Sequence, residues 1–313
     1  MRGKFIGIAA ALMSAVCWGG ATVMSKGALE GFHPVLLLNV QLVGSLIFIW
    51  SAILIFRLDA TRKKTWFGVS MLGLLEPGLA YFLGLIGLTY VEASAATLIQ
   101  STEGLMIALL AFVLFKEKLS YKFWLLSALA LLGLSFVIGT LSSSANVGGV
   151  QGQALIVAGT LAAAVYVVLS GRISNSMNPV VMVAYQQIVA LVLAFGILLF
   201  YVAQDFAVLV VPSSLKLWSI AIVSGIVQYA VAFSLYFYAM RSMSTASAGA
   251  FLNLVPVFGI IGAFVFLGER LSVLQFVGAG VTLICVTLIS VFYSHQEELS
   301  EDGDISNLKS SGI

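Results

Sequence analysis

Two glutamates lie in stretches of the chain that otherwise hold the apolar side chains of membrane-spanning helices. Glu103 is in the middle of TLIQSTEGLMIALL, residues 97–110, and Glu76 is in the middle of the preceding apolar stretch, followed by Pro77 and Gly78. An ionised carboxylate at bilayer depth costs about 3 kcal/mol or more unless it is protonated, paired or in contact with water. No Lys or Arg lies at comparable depth in the sequence. A proton, a cationic group of a substrate or hydrogen bonds in a wet cavity would satisfy these two groups.

A carboxyl group held away from water favours its protonated form, so both glutamates can exchange protons near neutral pH, which is the chemistry of proton coupling. Around Glu103, helical spacing places Thr97, Gln100 and Gly104 on the same face, which favours a face turned toward a cavity. The alternative is structural: a neutral hydrogen bond between helices for Glu103, and for Glu76 a polar partner for a carbonyl freed beside Pro77.

Other polar and aromatic positions can line the same cavity, although an aromatic side chain in a membrane helix more often packs or lies at the interface. In the first half of the chain they are Ser14, Trp18, Thr22, Ser25, Asn39 and Gln41, and in the second half Tyr166, Tyr185, Gln186, Gln228, Tyr229 and Asn253. Pro77 and Pro256 predict positions where a helix can change conformation, and Gly259 and Gly262 accompany Pro256 in this role. Close helix packing explains those glycines equally well.

The composition places these residues in a membrane protein. The 313 residues are 61% hydrophobic and 9% charged, with a mean hydropathy of +1.09, whereas soluble domains carry about a quarter charged residues. The net charge of +2 provides no basic surface for nucleic acid. Cys17 and Cys285 lie in apolar stretches without Cys-x-x-Cys spacing, so they predict buried small side chains and neither a disulfide nor a metal site. We expect no metal and no cofactor.

Ten apolar stretches predict an all-α membrane protein with ten transmembrane helices, at residues 5–26, 34–56, 67–88, 93–115, 122–141, 152–171, 180–203, 215–239, 245–267 and 273–293. With the N-terminus inside, twelve Lys and Arg residues lie on the inner side and three, Lys26, Lys216 and Arg270, on the outer side, which predicts that both termini are cytoplasmic. The first stretch is expected to be a retained helix, since no cleavage site follows it. The acidic, polar residues 294–313 predict a disordered cytoplasmic tail.

An internal repeat divides the chain into two halves. KEKLSYKFWLLSALALLGLSFVI (116–138) matches GERLSVLQFVGAGVTLICVTLI (268–289) at an offset of 152, which pairs Glu117 with Glu269 and Glu76 with Gln228. Upstream, HPVLLLNVQ (33–41) matches NPVVMVAYQ (178–186) at an offset of 145, pairing Gln41 with Gln186. Since five helices per half is an odd number, the second half, 146–293, is expected to be inverted relative to the first, 1–145. Inverted repeats are typical of secondary transporters. We expect Glu117 and Glu269, beside basic residues at loop entries, to cap helix ends.

Together with this duplication, FLNLVPVFGIIGAFVFLGERLS (251–272) and CWGGATVMSKGAL (17–29) resemble the EamA-type branch of the drug/metabolite transporter superfamily over about residues 5–293. The resemblance implies a ten-helix inverted-repeat transporter with a central cavity, often an exporter of amino acids or related metabolites. It does not specify a substrate. In the repeat alignment Glu103 falls opposite Val255 and Gly104 opposite Pro256, so only one half carries the acid.

These patterns predict a secondary transporter that exports a small polar metabolite, with amino acids as one candidate class, across the bacterial plasma membrane by alternating access and with coupling to protons. Solute exchange or facilitated diffusion without proton coupling is the alternative. An intramembrane enzyme or a receptor is disfavoured, because no His-Glu-x-x-His or Gly-x-Ser-x-Gly motif is present, His33 and His295 lie outside the stretches, and a seven-helix receptor does not match ten. The partners expected are a small-molecule substrate, the lipid bilayer and protons, for a monomer or a homodimer.

Overall fold

The computed structural model describes residues 2–60, 66–115, 121–141, 147–170, 178–241 and 251–289, and within these ranges the chain is helical, with no β-strand. We number the helices along the chain as α1 (Arg2–Ala28), α2 (Pro34–Ile55), α3 (Trp66–Tyr90), α4 (93–115), α5 (Tyr121–Leu141), α6 (Val147–Ser170), α7 (Pro179–Gln204), α8 (215–240), α9 (Phe251–Leu267) and α10 (Val273–Ile289). The repeat motif around Glu117 and the acidic tail expected over 294–313 lie outside the described residues.

Seven of these helices, α1 to α4 and α6 to α8, are long and apolar enough to cross a membrane. The apolar parts of α5, α9 and α10 are shorter within the described residues, at Tyr121–Val137, Phe251–Leu267 and Val273–Ile289. Each expected span therefore overlaps an apolar helix within the described residues, while a full count of ten crossings stays a prediction.

Helices α2 and α7 begin in the same way. The side chains of His33 and Asn178 each accept a hydrogen bond from the backbone N–H two residues later, and each is followed by a proline at the start of the helix. A side-chain acceptor satisfies one of the free amides at a helix N-terminus, and proline fits the first helical position because its missing N–H would be unpaired there. The repeat alignment equates these two positions.

The helices pack through small residues and a shared apolar core. Helix α1 packs against α8 and α9, α2 against α7 and α8, and α3 against α6 and α7. Where α5 crosses α10, a Cβ at Gly133 would lie 2.7 Å from the Gly278 carbonyl oxygen, so the two backbones touch. Thr282 Oγ1 donates to the Ala130 carbonyl at the same crossing, at 3.2 Å. Close backbone approach through small residues is how membrane helices gain contact without a hydrophobic driving force.

Within the described residues, four helices, α3, α4, α8 and α9, are interrupted near their middle or start. Helix α3 contains a 3-10 turn at Leu72–Leu74 and a kink within Leu75–Leu79, and α8 has a π-helical segment at Ile226–Ala232. Helix α9 opens with a 3-10 turn at Phe251–Leu254. In α3, Glu76 itself leaves helical geometry, with φ −142° and ψ 127°. Interrupted helices free backbone groups, which membrane proteins tolerate where the segment is buried in protein or lines a cavity.

The expected span 93–115 is present as α4 but is divided into Ala93–Gln100 and Glu103–Phe115. Ser101 and Thr102 form the turn between the two segments, and their hydroxyls donate to the carbonyls of Leu98 and Ile99, each at 2.7 Å. Hydroxyl groups that bond the preceding turn of a helix compete with its backbone and bend it. The division places Glu103 at the start of a helical segment.

Candidate functional site

The interruptions of α3 and α4 bring the two glutamates together. Glu76 is 8% exposed and Glu103 is half-buried, and the two side chains are close enough to interact electrostatically. Tyr81, Tyr166 and Tyr236 interact electrostatically with both acids, and Tyr229 interacts with Glu76. We call these six residues, Glu76, Glu103, Tyr81, Tyr166, Tyr229 and Tyr236, the acid–tyrosine cluster.

Phe233 on α8 joins the rings of the cluster into one aromatic surface. Its ring lies 5.0 Å from that of Trp18, 6.4 Å from that of Tyr81 and 6.5 Å from that of Tyr166, in edge-to-face geometry. Trp18 also meets Tyr236, at 5.5 Å. Such pairs are worth about 0.5–1.5 kcal/mol beyond their buried area, so they hold the rings in place. The aromatic surface runs from α1 through α8 to α3 and α6.

Gln41 connects the cluster to α1 and α8 by hydrogen bonds. Tyr229 donates its hydroxyl to Gln41 Oε1 at 3.1 Å, while Gln41 Nε2 donates to Ser25 Oγ at 2.9 Å and to Ser224 Oγ at 2.8 Å. Ser25 in turn donates to Gln228 Oε1 at 3.3 Å. Gln228 also forms a side-chain hydrogen bond with the hydroxyl of Tyr81 in the cluster. A fully bonded buried network of this kind fixes the orientation of its members.

Gln186, the repeat counterpart of Gln41, fixes a second tyrosine. Tyr166 donates its hydroxyl to Gln186 Oε1 at 3.0 Å, and Gln186 Nε2 donates to the Val69 carbonyl at 3.3 Å. Each of the two glutamines therefore accepts from one tyrosine of the acid–tyrosine cluster. Both act by positioning rings and hydroxyls around the acids.

One donor in the aromatic surface has no partner. Trp18 Nε1 is buried and has no hydrogen-bond acceptor within the described part of the chain. Since a buried donor without an acceptor costs about 1–3 kcal/mol, this group is a candidate to bond a ligand. Across those same ranges, no three His, Cys, Asp or Glu side chains come together as a metal-binding group.

The profile of the EamA-like transporter family matches the chain twice, at residues 5–139 and 150–291. The chain belongs to the EamA-like transporter family. The similar proteins include an uncharacterized transporter, sll0355, of Synechocystis sp., 26% identical over 297 residues that cover 87% of this chain and 86% of that protein. Another is an uncharacterized transporter of Methanothermobacter thermautotrophicus, 24% identical over 301 residues, with 89% and 84% covered.

A solved crystal structure also resembles this EamA-like transporter, with a TM-score of 0.63 at 17% identity, covering 95% of this chain and 99% of the other. That similarity shows a shared fold. The family resemblance noted in the sequence is thus confirmed. The protein is a multi-pass membrane transporter of the plasma membrane, in contact with the lipid bilayer and with a small-molecule substrate.

The structure of the EamA-like transporter sorts the predicted site residues into two groups. Eight of them converge at the acid–tyrosine cluster or bond to it: Glu76, Glu103, Trp18, Tyr166, Tyr229, Gln41, Gln186 and Gln228. Gln100 ends the first segment of α4, and Asn253 is buried in the first turn of α9, so both lie beside a helix interruption. Pro77 directly follows Glu76 at the kink of α3, and Pro256 lies in the first turn of the regular part of α9.

The other predicted residues serve helix contacts away from the cluster. Ser14 donates its hydroxyl to the Ala11 carbonyl of its own helix at 2.8 Å. Asn39 donates to the carbonyls of Val35 and Ala194, at 2.9 Å and 3.1 Å, and so ties α2 to α7. Tyr185 donates to the Ala60 carbonyl at 2.9 Å, and its ring meets those of Trp50 and Trp66. The hydrogen-bond donors of these three side chains are therefore taken up by backbone carbonyls outside the cluster, while Asn39 Oδ1 is buried without a partner among the described residues.

Three aromatic residues of the site were absent from the sequence prediction: Tyr81, Phe233 and Tyr236. A signal for two of them does exist in the sequence. Tyr229, Phe233 and Tyr236 recur at the spacing i, i+4, i+7, which aligns them on one face of a helix. Tyr81 follows Glu76 by five residues, and the kink at Glu76 lies between them, so regular helical spacing does not relate the two positions.

A second polar group of the transporter links four helices at the side predicted to be extracellular. Glu269, just after α9, accepts hydrogen bonds from the amides of Ala93 at 2.8 Å and Ser94 at 3.0 Å and from the Ser94 hydroxyl, and thereby caps α4. Lys26 at the end of α1 donates to the carbonyls of Leu88 and Val91, each at 2.7 Å. Glu269 thus performs the capping role expected for it, on a neighbouring helix.

Between these contacts, Glu92 connects α3 to α4. Burial raises the pKa of this half-buried carboxyl group, and the neighbouring charge of Glu269 raises it further, while Lys26 acts in the opposite direction. We call Lys26, Glu92 and Glu269 the outer polar link.

Proposed function

We propose that this EamA-like transporter exports a small polar metabolite by alternating access and that protons bound at Glu103 and Glu76 drive it. Amino acids are one candidate substrate class. The observation that carries the proposal is the meeting of two carboxylates at the interruptions of α3 and α4, among tyrosines whose hydroxyls stay neutral at physiological pH. Both termini face the cytoplasm in this proposal.

Alternating access requires two halves that exchange conformations, and reciprocal contacts support such halves. A Cβ at Gly225 on α8 would lie 2.4 Å from the Gln41 carbonyl oxygen on α2. Likewise, a Cβ at Gly73 on α3 would lie 2.0 Å from the Gln186 carbonyl oxygen on α7. The repeat alignment equates Gly73 with Gly225 and Gln41 with Gln186, so each half supplies the glycine for one crossing and the glutamine for the other. The two matches of the family profile agree with this division into 1–145 and 146–293.

The interruptions support the same pseudo-symmetry. The kink of α3 and the π-helical segment of α8 fall at equivalent positions, as do the turn at Ser101 and Thr102 in α4 and the 3-10 turn that opens α9. Interrupted helices at corresponding positions of two repeats are typical of the binding sites of secondary transporters.

In the proposed transport cycle, the outer polar link closes one side of the transporter. Glu269 joins the connection after α9 to the start of α4, and Lys26 joins α1 to the end of α3. These contacts hold four helices together at one end of the molecule, and breaking them would open a path from that end to the acid–tyrosine cluster. In the proposed orientation, they close the extracellular side. Protons would then load the cluster after this link opens, and substrate would enter after it closes.

The test uses the full chain reconstituted in proteoliposomes with and without a pH gradient, and a panel of labelled amino acids, amines and sugar derivatives. We expect a pH gradient to drive uphill flux of a substrate from this panel, and we expect Glu103→Gln and Glu76→Gln to remove the dependence on the gradient. Glu30→Gln changes an exposed acid outside the cluster and is the matched control. Wild-type pH dependence in the Glu103→Gln variant would refute the coupling role. Wild-type flux that ignores the gradient would instead favour exchange or facilitated diffusion.

A further inference from the structure

The charges around the acid–tyrosine cluster restrict the substrates that it can hold. In the described part of the chain, Lys and Arg residues lie at helix ends or in connections, and Lys26 is engaged by two carbonyls in the outer polar link. Among the described residues, a carboxylate or phosphate of a substrate would therefore meet two acids and no positive partner at the cluster. Ionised acids repel an anionic group out of water, so such a group would lose affinity.

A cation, in contrast, would be attracted by the two acids of the cluster. Glu76 and Glu103 provide two negative charges when ionised, and a substrate ammonium between them would replace the protons that otherwise neutralise them. Tyr81, Tyr166 and Tyr236 interact electrostatically with both acids. Aromatic rings attract a cation within about 6 Å of their centroids, and the attraction is strongest where water is excluded.

The apolar part of a substrate has a matching surface. The rings of Trp18, Phe233 and Tyr236 adjoin one another on α1 and α8, and they continue to Tyr81 and Tyr166. Trp18 Nε1 is a buried donor without an acceptor among the described residues, so it can bond a neutral oxygen of the substrate, such as a hydroxyl. The surface thus suits an amine with an apolar or aromatic body.

From this arrangement we propose that the transported substrate is a cationic organic amine that lacks a carboxylate or phosphate group, with its ammonium between Glu76 and Glu103 and its body against the rings of Trp18 and Phe233. The inference rests on the proposed function only in taking the acid–tyrosine cluster as the transport site. It replaces the broad class of small polar metabolites with one defined by charge.

The proposal also predicts how binding depends on pH. Among the described residues, the titratable groups that interact with the two acids are Tyr81, Tyr166, Tyr229 and Tyr236. A phenol has an ordinary pKa of about 10 and carries no charge across the physiological range. A monovalent amine therefore competes with protons at the acids alone. Its affinity should rise with pH until the acids are ionised, and each amine bound at lower pH should release a proton.

Three probes with the same ring separate charge from shape: tyramine is a cation, tyrosine a zwitterion and 3-(4-hydroxyphenyl)propionate an anion. Calorimetry with the purified full chain in detergent measures their binding at mildly acidic and mildly alkaline pH. We expect tyramine to bind about tenfold or more tighter than either of the others, and to lose about tenfold or more in affinity in Glu76→Gln and Glu103→Gln. Glu30→Gln should bind tyramine as the wild type does. Circular dichroism of each variant verifies that it is folded.

Equal or tighter binding of tyrosine or the propionate, no binding of tyramine to folded protein, or unchanged affinity in both Gln variants would overturn the proposal. The experiments separate failure of this substrate class from failure of the proposed function. Tyramine binding with the expected charge preference but flux that ignores a pH gradient would refute proton coupling and support the substrate class. Gradient-driven flux of tyrosine without tyramine binding would refute the substrate class and support the coupling.

Discussion

The crossing of α3 with α7 holds the segment that carries Glu76, and Gly73→Ala perturbs it directly. An added Cβ would lie 2.0 Å from the Gln186 carbonyl oxygen, 2.7 Å from its carbonyl carbon and 2.9 Å from its Cα. The contact with the oxygen is about 1.4 Å short of the 3.4 Å at which ordinary van der Waals contact begins. Because all three obstacles are backbone atoms of α7, no side-chain rotation relieves the clash, and the two helices must separate.

We expect Gly73→Ala to lower the free energy of unfolding by about 3 kcal/mol, at the upper end of the range for overpacking a close-packed contact. Separation of the helices also lengthens the hydrogen bond from Gln186 Nε2 to the Val69 carbonyl, which is already 3.3 Å. Gly225→Ala tests the reciprocal crossing of α8 with α2. There the Cβ would lie 2.4 Å from the Gln41 carbonyl oxygen, so we expect a loss of about 2 kcal/mol.

The assay is unfolding of the purified protein in detergent, followed by tryptophan fluorescence and circular dichroism. Gly84→Ala is the matched control, since Gly84 lies on the same helix and a Cβ there would meet nothing within 4 Å. This control should be neutral or stabilised by about 0.5–1 kcal/mol, the ordinary gain from replacing glycine in a helix. Equal stability of the Gly73→Ala and Gly84→Ala variants would refute the close crossing of α3 with α7 and the positioning of Glu76 that depends on it.

Three further substitutions test the polar contacts. Glu269→Ala removes the cap of α4, and we expect it to lower the free energy of unfolding by about 1–2 kcal/mol in the same assay. Gln41→Ala leaves the buried Tyr229 hydroxyl without its acceptor, so we expect a loss of about 1–3 kcal/mol, and a double-mutant cycle with Tyr229→Phe should recover part of it as coupling. Burial raises the pKa of Glu92 in the folded protein, so the contribution of Glu92 to stability is fully present below the ordinary carboxyl pKa and is lost as pH rises through the raised pKa. A pH series of unfolding midpoints should show this loss of stability in the wild type and not in Glu92→Gln.

Glu30→Gln serves as the control for both acidic substitutions, because Glu30 is exposed near the predicted extracellular end. A stability of Glu269→Ala equal to that of Glu30→Gln would contradict the cap. Additive effects of Gln41→Ala and Tyr229→Phe would mean that the two side chains do not depend on each other. Parallel pH profiles for the wild type and Glu92→Gln would show that Glu92 is solvated in the folded protein.

The two acids were open to prediction from the chain alone. The cost of a carboxylate in an apolar helix depends on the local composition, so Glu76 and Glu103 stand out without any coordinates. The repeat alignment equated Gln41 with Gln186, and the structure gives both the same kind of partner, a tyrosine hydroxyl. Local patterns carry this information because each half repeats the same local contacts.

The aromatic residues of the site were harder to predict from the sequence. Tyr81, Phe233 and Tyr236 lie in apolar helices where a ring that packs against lipid, a ring in the core and a ring at a binding site have the same local signature. Conversely, Asn39 and Tyr185 were predicted to line the cavity, and the structure bonds both to backbone carbonyls elsewhere. A polar side chain shows that a partner is needed, and the neighbouring helices determine which partner it finds.

Hydropathy and the repeat were enough to predict a membrane transporter with two acids inside apolar stretches, because the transfer of each stretch from water to lipid depends on that stretch alone. Only the tertiary structure decided that Glu76 and Glu103 come close enough to interact electrostatically and share their tyrosine neighbours. Electrostatic and aromatic interactions depend on distances between helices, and these are set by close crossings such as that of Gly73 with Gln186. Hydropathy along one helix contains no information about such distances.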